Sequence, residues 1–181
     1  MSRLVIPARE DVPVASAALL DGVEKQLSVV PNMYRMVAQS PAALGALLGF
    51  SGGLAKTLDV RTRERIAIAV AQENGCDYCL SAHSYVGLNL AKLNGAEVEL
   101  NRKGRSTDSK ADAAVRFAVK VTKARGKVAD ADIAAVRAAG FSDARIVEIV
   151  SVVAENFLTN LLNNVAETDI DFPAVHAAEA A

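Results

Sequence analysis

The stretch Thr62 to Gly87, TRERIAIAVAQENGCDYCLSAHSYVG, holds both cysteines of the chain and one of its two histidines. Ile66 to Ala71 is an unbroken apolar run behind Thr62-Arg63-Glu64-Arg65. That pattern predicts a helix capped by Thr62 and buried on most sides. Asn74-Gly75 predicts its end, because glycine adopts the left-handed conformation that closes many helices without a Cβ penalty. A second helix then begins near Cys76 or Asp77.

Chemistry lies in the spacing within that second helix. At about 100° per residue, Cys79 and His83 lie roughly 60° and 20° from Cys76 around the axis, so two sulfurs and an imidazole share one stripe. Both cysteines fall in the first turn. There the unpaired N–H groups and the positive dipole end favour thiolate over thiol, lowering a pKa of about 8.5 toward neutrality. Glu64 lies eleven residues before Gly75 and His83 eight after it. A chain folded back at that pivot leaves an axial mismatch of roughly 4.5 Å, which a glutamate side chain or one water can bridge. The carboxylate could then hold His83 ready to accept a proton from Cys79. In an unbroken helix Glu64 would stand about 120° off the cysteine stripe and roughly 18 Å away, so the arrangement requires the break. Two other readings stay open on residue type alone. The cysteines and His83 can be core residues, or Cys76, Cys79, His83 and Glu64 can be zinc ligands, although three of these crowd one short helix.

Glu64, eleven intervening residues, Cys76-Asp77-Tyr78-Cys79, three more residues and then His83 resembles the signature of the alkylhydroperoxidase D family of the carboxymuconolactone decarboxylase superfamily. The resemblance implies an all-α helical bundle and a thiol-dependent peroxidase cycling through a disulfide. It implies that Cys79 attacks the peroxide, that Cys76 resolves the sulfenic acid, and that Glu64 and His83 relay the proton. It also implies no bound cofactor, an external lipoyl-type or thioredoxin-like dithiol reductant, and a homo-oligomer. One position departs: the family enzyme carries a histidine where Tyr78 stands. A phenol with a pKa of about 10 cannot replace an imidazole as a base near pH 7, which leaves Tyr78 to donate a hydrogen bond or fill space.

Composition bounds the remaining classes. The chain has 181 residues, 51% of them apolar but only 4% aromatic, and no tryptophan. A core of small aliphatic side chains, alanine above all, favours closely packed helices within one domain spanning residues 1 to 181. The formal net charge of −1 gives no general attraction for nucleic acid or anionic membranes, and no basic nucleic-acid motif is present. Two cysteines without an export segment point to a reducing compartment, and with no obvious membrane-length apolar run the expected location is cytoplasmic.

In chain order, residues 1 to 12 read as an extended arm, followed by helices from Pro13 to Leu27, from Asn32 to Val37 and from Ala42 to Leu58 with Pro41 in its first turn. Gly45, Gly49, Gly52 and Gly53 weaken that third helix unless close packing offsets their cost. After the cysteines, helix is expected to continue through Leu93 to Asn94-Gly95, with Asn101-Arg102-Lys103-Gly104-Arg105 in a solvated connection. Helices from Asp108 to Arg125 and Asp130 to Ala139 end at Gly126 and Gly140. The apolar segment Ser142 to Glu167 matches the first under a shift of eighty residues, which sets Asn156, Thr159 and Asn163 opposite Cys76, Cys79 and His83. It reads either as a degenerate copy of the helix pair packed over the reactive face, or as chance similarity between two buried helices. Phe157, Leu158, Leu161 and Leu162 are available for that packing or for a subunit interface. Residues 169 to 181 form a polar, alanine-rich tail in which Phe172-Pro173 can dock and His176 has no partner set by spacing.

Three function classes follow: the peroxidase, a carboxymuconolactone decarboxylase-like lyase with no need of a disulfide, and a non-catalytic thiol redox sensor.

Overall fold

The computed structural model describes residues 1–177; the last four positions of the expected tail lie outside the described residues. The described residues form nine α-helices and no strand. They are α1 Val14–Leu27, α2 Asn32–Val37, α3 Pro41–Leu54, α4 Val60–Glu73, α5 Asp77–Asn89, α6 Gly95–Arg102, α7 Ser109–Ala124, α8 Asp130–Ala138 and α9 Asp143–Ala166. The all-α architecture is the expected one.

The spine is α4. Ile66 to Ala71 is buried at every position, and α5, α6, α7 and α9 all pack against this helix. A helix apolar all round can be stable only when surrounded, and Ala67, Ala69 and Ala71 let its neighbours come close. One side, with Ile66, Ala69 and Val70, joins α7, α8 and α9 in an apolar cluster around Phe117, Ile149 and Val152. The other, with Ile68 and Ala71, packs on α5, α6 and the tail, and both cysteines belong to this second cluster. A third cluster holds α1, α2 and α3 against Ala166 at the end of α9.

Several expectations need correction. Asp59 caps α4, its carboxylate accepting the Thr62 N–H at 3.0 Å, and Thr62 lies inside the first turn donating its own hydroxyl to Asp59. The third helix stops at Leu54, four residues early. Asn94-Gly95 starts a helix rather than ending one: Asn94 accepts the Glu97 N–H at 2.8 Å and α6 follows. The supposed solvated connection therefore begins inside α6, where Asn101 is fully buried. Local sequence misled here because an asparagine-glycine pair serves either helix end.

The Ser142 to Glu167 segment is one uninterrupted helix, so no second helix pair exists. By length and hydropathy α9 could cross a membrane, unlike the expectation from the sequence, but one face of it lies in the core against α3, α4, α5 and α7. The N-terminal residues lie on their own chain: the Arg3 N–H donates to the Ala166 carbonyl at 2.6 Å and the Asp169 N–H to Ser2 Oγ at 2.8 Å. A 3-10 turn at Arg9–Asp11 interrupts the arm. At Gly49, Gly52 and Gly53 no atom lies within 4 Å of where a Cβ would stand, so packing within the chain does not offset their cost.

Candidate active site

Where α4 ends, the chain delivers the sulfurs. Gly75 has φ 61°, its N–H donates to the Gln72 carbonyl at 3.2 Å, and the Cys76 N–H donates to the Ala71 carbonyl at 3.0 Å. This pair of bonds is a Schellman closure, the break on which the site depends. Helix α5 restarts at once with Cys76 as its N-cap, and Cys76 Sγ accepts the Cys79 N–H at 3.3 Å in place of the usual oxygen. Both thiols are free and buried, Cys76 at 0% and Cys79 at 2% exposure.

The fold-back sets Glu64 beside His83, with Nδ1 and Oε2 2.9 Å apart and no water needed between them. The His83 and Glu64 side chains are 28% and 13% exposed, so the pair reaches the surface while the two sulfurs do not. With Nδ1 engaged, Nε2 is the nitrogen left for proton exchange. Burial alone would lower the His83 pKa, but the charge and hydrogen bond of Glu64 outweigh it, and Cys79 and Glu155 add to the effect. The result is about 9. The Cys79 thiol moves the other way. A hydrogen bond from the Cys76 side chain lowers its pKa, burial opposes, and His83 with the amides of Asn160 and Asn163 lowers it further, to about 7. Cys76 is raised, because it gives that hydrogen bond, is buried and faces the Cys79 charge.

The residues from α9 are the part that motif reading reached least. Asn163 Nδ2 donates to Cys79 Sγ at 3.3 Å and to the Thr159 carbonyl at 2.9 Å. Asn160 accepts from Asn74 Nδ2 at 2.8 Å, and Asn164 Nδ2 donates to the Asn74 carbonyl at 3.0 Å, so α9 also holds the turn before Cys76. The shift of eighty residues singled out Asn163 but not Asn160. The available signal was a set of amides at helical spacing, Asn156, Asn160 and Asn163, in an otherwise apolar helix. Glu155, bonded to Ser51 Oγ on α3, adds a further carboxylate near His83.

Tyr78 supports the tail. Its hydroxyl donates to Asp171 at 2.9 Å and accepts the Met33 N–H at 3.1 Å, and its ring meets Phe172 edge-on at 5.9 Å. Burial pushes its pKa up, further from the range of a base. Phe172 docks as the sequence suggested. His176 does have a partner: Nδ1 lies 2.7 Å from Asp77 Oδ2, and the Ala177 N–H donates to Asp77 Oδ1 at 2.8 Å. Among the described residues no three His, Cys, Asp or Glu side chains are placed to hold a metal ion. Two open cavities of about 570 and 560 Å³ lie away from the sulfurs, the first lined by Lys103, Arg105, Arg116, Lys120 and Lys123.

Residues 41–124 match the model of the carboxymuconolactone decarboxylase family, a span that contains Glu64, both cysteines and His83. Over that span the chain is similar to the carboxymuconolactone decarboxylase family. Its fold is that of an AhpD-core, peroxidase-related protein from Ralstonia eutropha JMP134, with a TM-score of 0.83 and 24% identity over 94% of this chain and 92% of that one. A peroxidase-related protein from Silicibacter sp. TM1040 gives 0.81 and 25% over 93% and 91%. The debrominase Bmp8, solved with 2,3,4-tribromopyrrole, gives 0.80 and 19% over 94% and 92%. No curated protein matches the chain. The amides of α9 lie beyond the matched family span.

Proposed function

We propose that this protein is a thiol peroxidase, on the strength of one observation: a carboxylate, an imidazole and a depressed thiol run in series to a buried second thiol. Between about pH 7 and 9 the Cys79 thiolate and the His83 imidazolium coexist. The thiolate attacks one oxygen of ROOH, the S–O bond forms as the O–O bond breaks, and the departing alkoxide takes a proton from His83. Cys79 is then a sulfenic acid and the product is ROH. The Cys76 sulfur attacks the sulfenic sulfur, forming the S–S bond. Hydroxide leaves and is protonated to water by the proton lost from Cys76, relayed through His83 and Glu64. An external dithiol of lipoyl or thioredoxin-like type restores both thiols by exchange and leaves as its own disulfide. A reducing, cytoplasmic compartment suits that cycle.

The roles are tested by following peroxide consumption with a dithiol in excess. Cys79→Ser should be inactive, whereas Cys76→Ser, given limiting peroxide and no dithiol, should consume one equivalent and stop as a sulfenic acid. Full consumption by Cys79→Ser rejects the assignment. The debrominase relative motivates a second substrate class, because a thiolate with a second thiol beside it can also supply two electrons to a halogenated ring. Bromide release from 2,3,4-tribromopyrrole without peroxide turnover would favour that reading. A lyase would have no use for the polarised cysteine pair. Val147, Val150, Leu158, Leu161 and Val165 form an exposed stripe on α9, and we place the self-association surface there, whereas Phe157 and Leu162 are partly buried against the core.

A further inference from the structure

The two sulfurs pose a question that the motif does not answer, namely why Cys79 ionises first. The end of α5 favours Cys76, which is the N-cap itself and already accepts a backbone N–H. A thiolate selected by the helix alone would therefore be the resolving sulfur. Cys76 and His83 favour the Cys79 anion from α5 itself, and on the other side of Cys79 stands α9.

We propose that Asn160 and Asn163 form an amide cradle that selects Cys79 as the attacking sulfur. Asn163 donates to Cys79 Sγ at 3.3 Å, and its second amide hydrogen is held by the Thr159 carbonyl, which fixes the side chain with the donor toward sulfur. Asn160 is held from behind through its Oδ1 by Asn74, while its Nδ2 is buried and has no hydrogen-bond partner within the chain. The Asn163 Oδ1 is likewise buried and unpartnered. Orphaned buried amide atoms are costly in a well-packed helix, and two of them sit on the two amides that face the sulfur. An anion on Cys79 gives the Asn160 donor a partner, and a sulfenic O–H would give one to the Asn163 acceptor. Both amides lower the Cys79 pKa, in company with Cys76 and His83. The other ionisable groups around this sulfur are Tyr78 on α5, Glu64 on α4 acting through His83, and Glu155 on α9. None of these three is a hydrogen-bond donor to it among the described contacts.

The consequence for turnover rests on the peroxidase reading, but the ionisation does not, so the experiment separates them. In a Cys76→Ser background, the ultraviolet thiolate absorbance of Cys79 is followed against pH in the parent and in Asn163→Leu, Asn163→Ala, Asn160→Asp and Asn160→Leu. Asn160→Asp keeps the acceptor that holds Asn74 while replacing the donor with a like charge, so it remains informative if Asn160→Leu fails to fold. The cradle predicts that the midpoint rises by about one unit in each folded variant, and more in Asn160→Asp. Thiolate below the parent midpoint should thus fall about tenfold. With both cysteines present, the preference of an alkylating reagent for Cys79 over Cys76 should fall by a similar factor. Folded variants whose midpoint and preference match the parent would overturn the cradle. A shifted midpoint in a protein that does not consume peroxide would leave the cradle standing and remove the peroxidase reading.

Discussion

Glu64 and Glu97 are carboxylates on neighbouring helices that the fold treats in opposite ways. Glu97 is almost wholly buried and receives Arg65 Nε at 2.8 Å, Asn101 Nδ2 at 3.2 Å, the Thr107 N–H at 2.9 Å, the Thr107 hydroxyl at 2.6 Å and the Ser106 hydroxyl. Burial would raise its pKa, but the Ser106 and Thr107 bonds win and hold it down at about 2. Its charge is fixed, and it ties α4, α6 and the start of α7 together. Glu64 instead spends its charge on His83, whose proton can leave, and the sulfur that His83 serves is flanked by amide atoms without partners. A saturated carboxylate stabilises the fold, whereas one coupled to a titrating neighbour under an unsaturated cradle can serve chemistry.

The contrast can be broken in order of expected effect. Replacing Glu97 by alanine leaves Arg65 and several donors buried without their acceptor, and should cost about 3–5 kcal/mol in chemical denaturation. The Cys79 titration should stay where it was. The pH dependence has a definite sign: the folded pKa of about 2 lies below the ordinary value of 4.5, so the stabilisation is complete above about 4.5 and is lost as pH falls toward 2. A parent protein whose denaturation midpoint does not fall in that window, or does so equally in Glu97→Gln, would contradict this role.

Glu64→Gln should leave stability within about 1 kcal/mol, since the pair is partly exposed and its partner can be neutral. Its effect belongs on the rate profile. In the parent, kcat/KM for peroxide should rise through about pH 7 as Cys79 ionises and fall through about pH 9 as His83 loses its proton. Without Glu64 the falling limb should move toward the ordinary histidine value near 6.5, closing the window and cutting the rate at pH 7 roughly fourfold. A falling limb still at 9 would show that Glu64 does not hold the imidazolium.

Smaller effects sharpen the picture. Leu161→Asp on the exposed stripe of α9 should shift sedimentation toward a smaller species without moving the Cys79 midpoint. His176→Ala removes an exposed pair with Asp77 and should change stability by less than about 1 kcal/mol.

What could be read from the sequence follows the range of the interactions. The α4–α5 hairpin, its break and the Glu64–His83 pairing were legible because glycine conformation, helical rise and residue spacing are local. Asn94-Gly95 reads either way because the same dipeptide ends one helix and starts another, and only burial of Val98 and Asn101 where α6 packs on α4 and α5 decides between them. The cap of α4 moved from Thr62 to Asp59 for a similar reason, as either side chain satisfies the local rule. Asn160 was invisible to motif reading, because its meaning lies in a contact eighty-six residues away with Asn74. Tyr78 needed the tail to be seen docked before its hydroxyl had a partner.

Oxidation by one equivalent of hydrogen peroxide or an organic hydroperoxide, followed by mass spectrometry of both thiols, tests the central claim most directly. A Cys76–Cys79 disulfide in the parent and a sulfenic acid on Cys79 in Cys76→Ser are the predicted results. Oxygen appearing first on Cys76, or both thiols surviving peroxide as thiols, would contradict it.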